Sequence, residues 1–548
     1  MPSSNNKSIV SFLVLVLGIL PLFVSADVVG DSQRFFVDSS YDELKREELD
    51  ATLYVANSKV YFYVENSWWN SLPLPDQQAT QQTLITLGQE FEQNIYPSLT
   101  QAFGQEWKPG IDNKEAITVL LHLMRQDAGG YTNYGDEYSK LQNPKSNERE
   151  MMYINLRHLQ DPLAKSYLSH EFTHVITFNQ KDRPYRTQEE IWLNEARAEY
   201  APTLVGYDFS GADSNLKRRI KNFLDNPGDS LTEWNGVPAD YGVVNMFVQY
   251  LADQYGPQLL ADSLKSSKAG IGSITDALQK GQFKETFEDV FINWMTALFL
   301  NDCFYGPRFC YHNPYLVNLR VIPQTNFLPS IGNSTLTINS TTKEWAGNWL
   351  KVVGGKEVTT MEFQGNTGAQ FRVPYLLEDA DRRFSLHELS LDQEGKGSVA
   401  ISDFNTKNRS VIFLPVGKGA FSFTIATSER TPQEEQALLA KLLAKIEFLK
   451  AEIAKLQAQL AALSQPQNGT CGRFEQDLSF GMRDSQDVRC LQKFLKVVVT
   501  GNFFTLTSQA VIRFQEKYAQ EILVPVGRSK GTGYVGFLTR QKMNQLFQ

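Results

Sequence analysis

The sequence predicts an α+β domain, followed by an all-β sandwich, a coiled-coil helix and a compact final segment. Three observations carry this reading. Strand-like apolar runs give way to helical periodicity over 27–304, short runs punctuated by Gly, Asn and Asp fill 305–430, and Leu and Ile recur at alternating spacings of 3 and 4 within 431–464. At 548 residues the chain also exceeds what one hydrophobic core accommodates, so several domains are expected.

The elements justify this in order. Thr52-Leu-Tyr-Val-Ala and Lys59-Val-Tyr-Phe-Tyr-Val read as strands, and Asp76 to Phe103 as a helical stretch. Ala116-Ile-Thr-Val-Leu-Leu-His-Leu and Met151-Met-Tyr-Ile-Asn-Leu read as buried strands, the second of them a candidate to pair with a substrate backbone. Helical patterns dominate from Asp161 to about Leu300. Between 305 and 430 the turn residues recur at the short intervals of a sandwich or jelly roll, and no chemistry concentrates there. The seam Leu439, Leu442, Ile446, Leu449, Ile453, Leu456, Leu460 and Leu463 then runs to a linker, 465–470, before the last segment, Cys471 to Gln548.

Residues 1–26 read as an export signal: Lys7, an apolar run from Ile9 to Val24, and a small-residue cleavage site at Val24-Ser25-Ala26. Export to the cell surface or medium suits the four cysteines, for which the local pairs Cys303–Cys310 and Cys471–Cys490 are favoured. No C-x-x-C pair offers a cysteine zinc site. A net charge of −8 gives no basic footprint, which argues against nucleic acid as a partner.

The chemistry concentrates at His170-Glu171-Phe172-Thr173-His174. On a helix, residues four apart share a face, so both imidazoles reach one metal, and Glu171 lies beside them as general base toward an attacking water. Asp161 and Pro162 are suited to open that helix. Thr187-Gln-Glu-Glu190 has the form of a capping box opening a second helix, on which Glu195 supplies a third metal ligand. Glu199, one turn on, is placed to accept the outer N–H of a ligand histidine, and Asn194 is grouped with it as a ligand-orienting residue. The remaining histidines, His122, His158, His312 and His387, lack partners at ligand spacing and read as structural.

At these residues the chain resembles the gluzincin zinc metallopeptidases, and more closely those of hyicolysin type. The shared features are Gly129-Gly-Tyr, Ser146-Asn-Glu-Arg-Glu-Met-Met-Tyr, the His170 helix, Trp192-Leu-Asn-Glu195, Tyr241-Gly and Phe247-Val-Gln-Tyr-Leu, within about residues 115–300. The resemblance implies a zincin-like fold, one catalytic zinc and peptide hydrolysis. It makes Tyr241 the candidate oxyanion donor, with Tyr153 and Tyr250 as alternatives. Ala196 stands where many relatives have Gly, and the Gly-x-Met-Glu-Asn motif of aminopeptidases is absent, which favours an endopeptidase.

The final segment resembles the three-helix peptidoglycan-binding module, through Leu478-Ser-Phe-Gly-Met-Arg-Asp, Leu491-Gln-Lys-Phe-Leu, Ala510-Val-Ile-Arg-Phe-Gln and Gly533-Tyr-Val-Gly-Phe-Leu. Phe504 and Phe537 depart from its usual pattern. The expected protein is therefore a secreted zinc endopeptidase acting on protein or peptide, retained at the cell envelope by peptidoglycan, and dimeric through the seam. An inert envelope-binding protein and a peptidoglycan-cleaving amidase are the rival expectations.

Overall fold

The computed structural model describes residues 27–209, 214–330, 333–428, 432–463 and 471–547. The expected export signal, 1–26, and linker, 465–470, lie outside the described residues. The chain divides into two compact units, Met1–Thr431 and Pro432–Gln548. Helices and several sheets coexist, compatible with an α+β reading.

The first unit opens with a six-stranded sheet ordered β1-β2-β3-β4-β6-β5. Its strands are β1 (Ser32–Phe36), β2 (Glu48–Ala56), β3 (Val60–Glu65), β4 (Ile117–His122), β5 (Gly130–Tyr131) and β6 (Met151–Asn155). β3, β4 and β6 run parallel and are buried along their whole length, which is why they read as continuous apolar runs. Alternate residues serve opposite faces. Phe62, Val119 and Ile154 join the helical core, whereas Tyr63, Leu120 and Tyr153 pack with Phe35 and Leu53. Helices Leu74–Glu90 and Tyr96–Phe103 fill the crossover from β3 to β4.

The His helix spans Ala164–Thr177 and the Glu helix Ile191–Leu204. Both bury apolar faces in the main core, through Phe172, Val175 and Ile176 on one and Trp192, Leu193 and Ala196 on the other. The Asp161 carboxylate accepts the Leu163 N–H at 2.8 Å and so orders the turn before the His helix. The expected capping box at Thr187 does not form. The Thr187 hydroxyl donates instead to the carbonyls of Tyr185 and Ser267, and the Glu190 carboxylate accepts the Trp192 indole N–H at 2.6 Å. Helices Asn215–Asp225 and Pro238–Tyr255 then close over the Glu helix, and Phe287–Leu300 completes the helical run.

Residues 324–428 form two further sheets, β13-β10-β15-β8 and β12-β11-β14-β9-β7. These strands are β7 (Gln324–Leu328), β8 (Ser334–Thr342), β9 (Leu350–Gly354), β10 (Val358–Gly365), β11 (Val373–Asp379), β12 (Phe384–Leu389), β13 (Lys396–Ser402), β14 (Asn408–Phe413) and β15 (Gly419–Ser428). Met361, Phe363 and Phe423 of the first meet Val352, Tyr375 and Phe413 of the second in one apolar layer. The other face of the second sheet joins the helical core through Leu376, Ile412, Leu414 and Val416, and the Trp349 indole donates to the Met295 carbonyl at 3.0 Å. Cys303 and Cys310 form the expected local disulfide.

In the second unit, Pro432–Leu463 is one continuous helix. Its seam lies open along the described side chains, with Leu439 60%, Ile446 47% and Ile453 54% exposed. The final segment holds helices Gln486–Phe494, Thr505–Lys517 and Phe537–Leu546 around Leu478, Leu491, Val511, Val535 and Met543, with the Cys471–Cys490 disulfide. Two buried amides organise it in the same manner. Gln492 accepts the Thr500 and Gly501 N–H groups, and Gln515 accepts those of Thr532 and Gly533. Phe504 sits edge-on to Phe480, and Phe537 is exposed. Among the described residues no helix is long and apolar enough to cross a membrane.

Candidate metal centre

The His and Glu helices pack side by side, and this brings three side chains to one point. His170 Nε2 and His174 Nε2 lie 3.3 Å apart, His170 Nε2 is 3.3 Å from Glu195 Oε2, and His174 Nε2 is 3.6 Å from Glu195 Oε1. With metal–ligand distances of about 2.0–2.2 Å, ligand atoms of a tetrahedral zinc site stand about 3.3–3.6 Å apart. The two imidazole nitrogens and the Glu195 oxygen nearest each of them therefore stand at zinc-ligand separations.

The outer ring nitrogens fix the donor set. His174 Nδ1 faces Asn194 Oδ1 at 3.1 Å, and His170 Nδ1 faces Glu199 Oε1 at 3.4 Å. Each acceptor favours the tautomer with its proton on Nδ1, which leaves the two Nε2 lone pairs converging beside a carboxylate. Glu195 Oε2 is buried with no hydrogen-bond partner. Burial works against charge on His170, yet the carboxylates of Glu195, Glu171 and Glu199 around it outweigh this and lift its pKa to about 9. Such a cluster of acceptors calls for a cation, and these residues fit zinc.

Glu199 is 1% exposed, as a charge needing partners would be, and it has them. Burial alone would raise its pKa, but the Arg219 guanidinium, with His170 and Arg218, holds it down at about 2. Asn215 and Asn245 donate to the same carboxylate. Glu171 lies beside the cluster with its pKa raised by burial, against the opposing pull of His170 and His174, and accepts the Thr132 hydroxyl at 3.0 Å.

An open cleft of two lobes, about 370 Å³ and 290 Å³, meets at this point, and Tyr41, Gly130, His170, Glu171 and Tyr241 line both. Tyr241 is half-buried, edge-on to Trp234, with Arg219 over its ring at 4.4 Å. Burial first, then the charges of Glu195 and Glu199, push its pKa well up, so the hydroxyl keeps its proton. The two alternatives lie elsewhere. Tyr153 is buried beneath the sheet with its hydroxyl 2.6 Å from Asp136, and Tyr250 donates to the Arg308 carbonyl. Tyr41, from a loop far upstream, was not signalled by any motif; its pKa is raised by burial and by the charge of Glu171.

The strand expected to meet substrate is also corrected. β6 is paired with β4 along its length and with β5 at Tyr153 and Ile154, so its outer edge is covered at those two residues. The free edge belongs to β5, whose Gly130 lies against the base: a Cβ there would come within 2.6 Å of the Tyr153 carbonyl oxygen and 3.0 Å of Glu171 Cγ. Only glycine lets the strand approach this closely.

The other histidines stand apart from the cluster. His122 is buried 3.3 Å from Asp42, His158 lies by Asp161, and His387 stacks on Tyr375. His312 is near Cys303 and Cys310, but their sulfurs are bonded to each other and offer no thiolate for a metal.

No family model and no curated protein matches this chain. Among solved structures, a family GH115 4-O-methyl-α-glucuronidase with specificity for decorated arabinogalactans aligns at 9% identity and a TM-score of 0.12, over 57% of this chain and 55% of that one. The chain thus spans about half of that enzyme's length, and a likeness this slight assigns neither fold nor activity.

Proposed function

We propose that the chain is a zinc-dependent endopeptidase with a zincin-like domain, in which His170, His174 and Glu195 hold one zinc ion. The observation that carries the proposal is the convergence of these three donors at tetrahedral separations, each histidine backed by an acceptor on the Glu helix.

When bound, zinc supplies Lewis acidity, which acidifies water and polarises a carbonyl. The chain's own residues then do the rest. Glu171, oriented by Thr132, takes the proton of the attacking water and returns it to the leaving amine, and the burial that raises its pKa strengthens it as a base. The protonated Tyr241 hydroxyl donates to the oxygen on which charge develops. The free edge of β5 offers backbone groups to an extended substrate. Arg219, Glu199 and Asn194 hold the ligand rings in place.

We read the β-rich region as an accessory sandwich, the Pro432–Leu463 helix as a coiled-coil dimer, and the final segment as a peptidoglycan-binding module that retains an exported enzyme at the envelope. The two disulfides support an extracellular setting.

Metal analysis and casein hydrolysis test the reading. One zinc per chain is expected, with activity lost to chelator and restored by zinc. Casein cleavage that persists without metal would overturn it. Release of fragments from purified peptidoglycan with casein untouched would favour an amidase, and bound zinc with neither activity an inert protein. The full chain should also sediment with insoluble peptidoglycan, whereas a chain ending at Ser464 should stay in solution and still cleave casein.

A further inference from the structure

The smaller lobe of the cleft holds three arginines, and their charges are not equally spent. Arg125 pairs with Asp127 at 3.1 Å, and Arg219 is committed to Glu199 at 2.5 Å. Arg218 differs. It donates to two neutral acceptors, the Tyr167 hydroxyl at 2.9 Å and Asn215 Oδ1 at 2.7 Å, and its buried Nε has no hydrogen-bond partner. Among the described residues no carboxylate lies within ion-pair distance of it. The guanidinium is held in place by these two bonds and by stacking over the Tyr167 ring at 5.4 Å, so its direction is fixed before any ligand arrives.

Its position joins it to the metal centre. Tyr167 lies one turn before His170 on the His helix, Arg219 follows Arg218 in sequence, and the same cavity is lined by Arg218, His170, Glu171 and Tyr241. Whatever occupies this lobe while a peptide lies at Glu171 is the neighbouring part of that peptide. A half-buried, preorientated guanidinium with no carboxylate in ion-pair contact favours a planar anion of matching geometry, although its charge also acts on nearby Glu199. The carboxylate is the anion a peptide carries.

We propose that Arg218 makes this lobe a carboxylate-selecting subsite, so that the enzyme favours peptides with an acidic side chain, or a free C-terminal carboxylate, beside the bond it cleaves. This rests on the peptidase reading above and adds the class of substrate. Asp127, Glu171 and Glu199 line the lobe as well, but the direct partners of Arg218, Tyr167 and Asn215, are neutral and leave it outside any ion pair.

The test uses the zinc-loaded full chain and internally quenched peptides that differ only by Glu or Gln at each position flanking the cleaved bond, each with a free or amidated C-terminus. At one position the Glu peptide should be favoured in kcat/KM by on the order of 10- to 100-fold, the range of a charge-assisted hydrogen bond. A Glu-over-Gln preference identifies a side-chain carboxylate as the ligand, and a preference confined to free over amidated termini identifies the chain end. The ratio should fall to about one in R218Q, remain partial in R218K, and invert in favour of the Gln peptide in R218E, with zinc content and melting temperature reported for each variant. Binding of the same peptides to zinc-loaded E171Q, followed by calorimetry, reads the subsite without turnover. Absence of cleavage alongside carboxylate-selective binding would sink the peptidase reading and keep the subsite. Cleavage without discrimination in the wild type, or a preference that survives R218Q, would overturn the subsite.

Discussion

Arg219 places Nε and Nη2 on the two oxygens of Glu199, at 2.8 and 2.5 Å, while the same carboxylate lies 3.4 Å from His170 Nδ1. The orientation of His170, a ligand in the proposed zinc site, is thus set by an ion pair outside the proposed ligand set. Removing the carboxylate charge in E199Q should weaken zinc binding by about 10- to 100-fold, as measured by chelator competition. R219M should cost about 3–5 kcal/mol of stability, because it strands a buried charge. Wild-type zinc affinity in E199Q would show that His170 needs no such support.

Glu171 and the metal ligands should separate cleanly. E171Q is expected to bind one zinc and lose at least about 100-fold in kcat, the loss typical of a missing general base. H170A and E195A should lose the metal itself. Full turnover by E171Q would remove it from the mechanism.

Y241F should lower kcat with little change in KM, by about 2–4 kcal/mol in transition-state stabilisation if its hydroxyl serves the oxyanion. Tyr41 lines the same two lobes, so the paired variant Y41F decides between them. Loss confined to Y41F would transfer the role.

Stability should fall on the alkaline side because of Glu150. Burial raises its pKa from 4.5 to about 8, although the Ile111 N–H donates to it. A raised folded pKa means that the proton stabilises the fold below pH 4.5 and that this support is lost as pH rises through about 8. E150Q keeps an acceptor for Ile111 and should melt higher than wild type at pH 9 but not at pH 5. Parallel melting curves for the two proteins across that range would refute the assignment.

The exposed seam of Pro432–Leu463 should drive self-association. Leu or Ile at Leu439, Ile446 and Ile453 with Leu at the intervening positions leans toward a parallel dimer. Analytical ultracentrifugation of the full chain against one ending before Pro432 checks this, and equal monomeric masses would rule the dimer out.

The cluster of His170, His174 and Glu195 was legible because its histidines share a helix face and the glutamate follows on a second helix recognisable from its sequence. Asn194 and Glu199 were legible for the same reason, being on the same helix as Glu195. What the sequence hid came from tertiary approach. Tyr41, Thr132 and Arg219 reach the centre from separate segments, and no spacing rule connects them to His170. Thr187 satisfied the pattern of a capping box, yet the Ser267 carbonyl, 80 residues on, claimed its hydroxyl. Gly130–Tyr131 is too short for periodicity to register, and the apolar run at Met151 drew the substrate-binding expectation one strand inward.

If β5 receives a peptide substrate as proposed, that brevity sets how firmly the substrate's main chain is gripped. In an antiparallel edge only every second residue turns both its N–H and C=O outward, so a two-residue strand presents about one such pair. Backbone pairing therefore contributes little more than alignment at the cleaved bond, and affinity must come from the side chains on either side of it. Short, featureless peptides should bind weakly at any sequence register, while extended stretches with well-matched side chains should be the ones retained long enough to be cut.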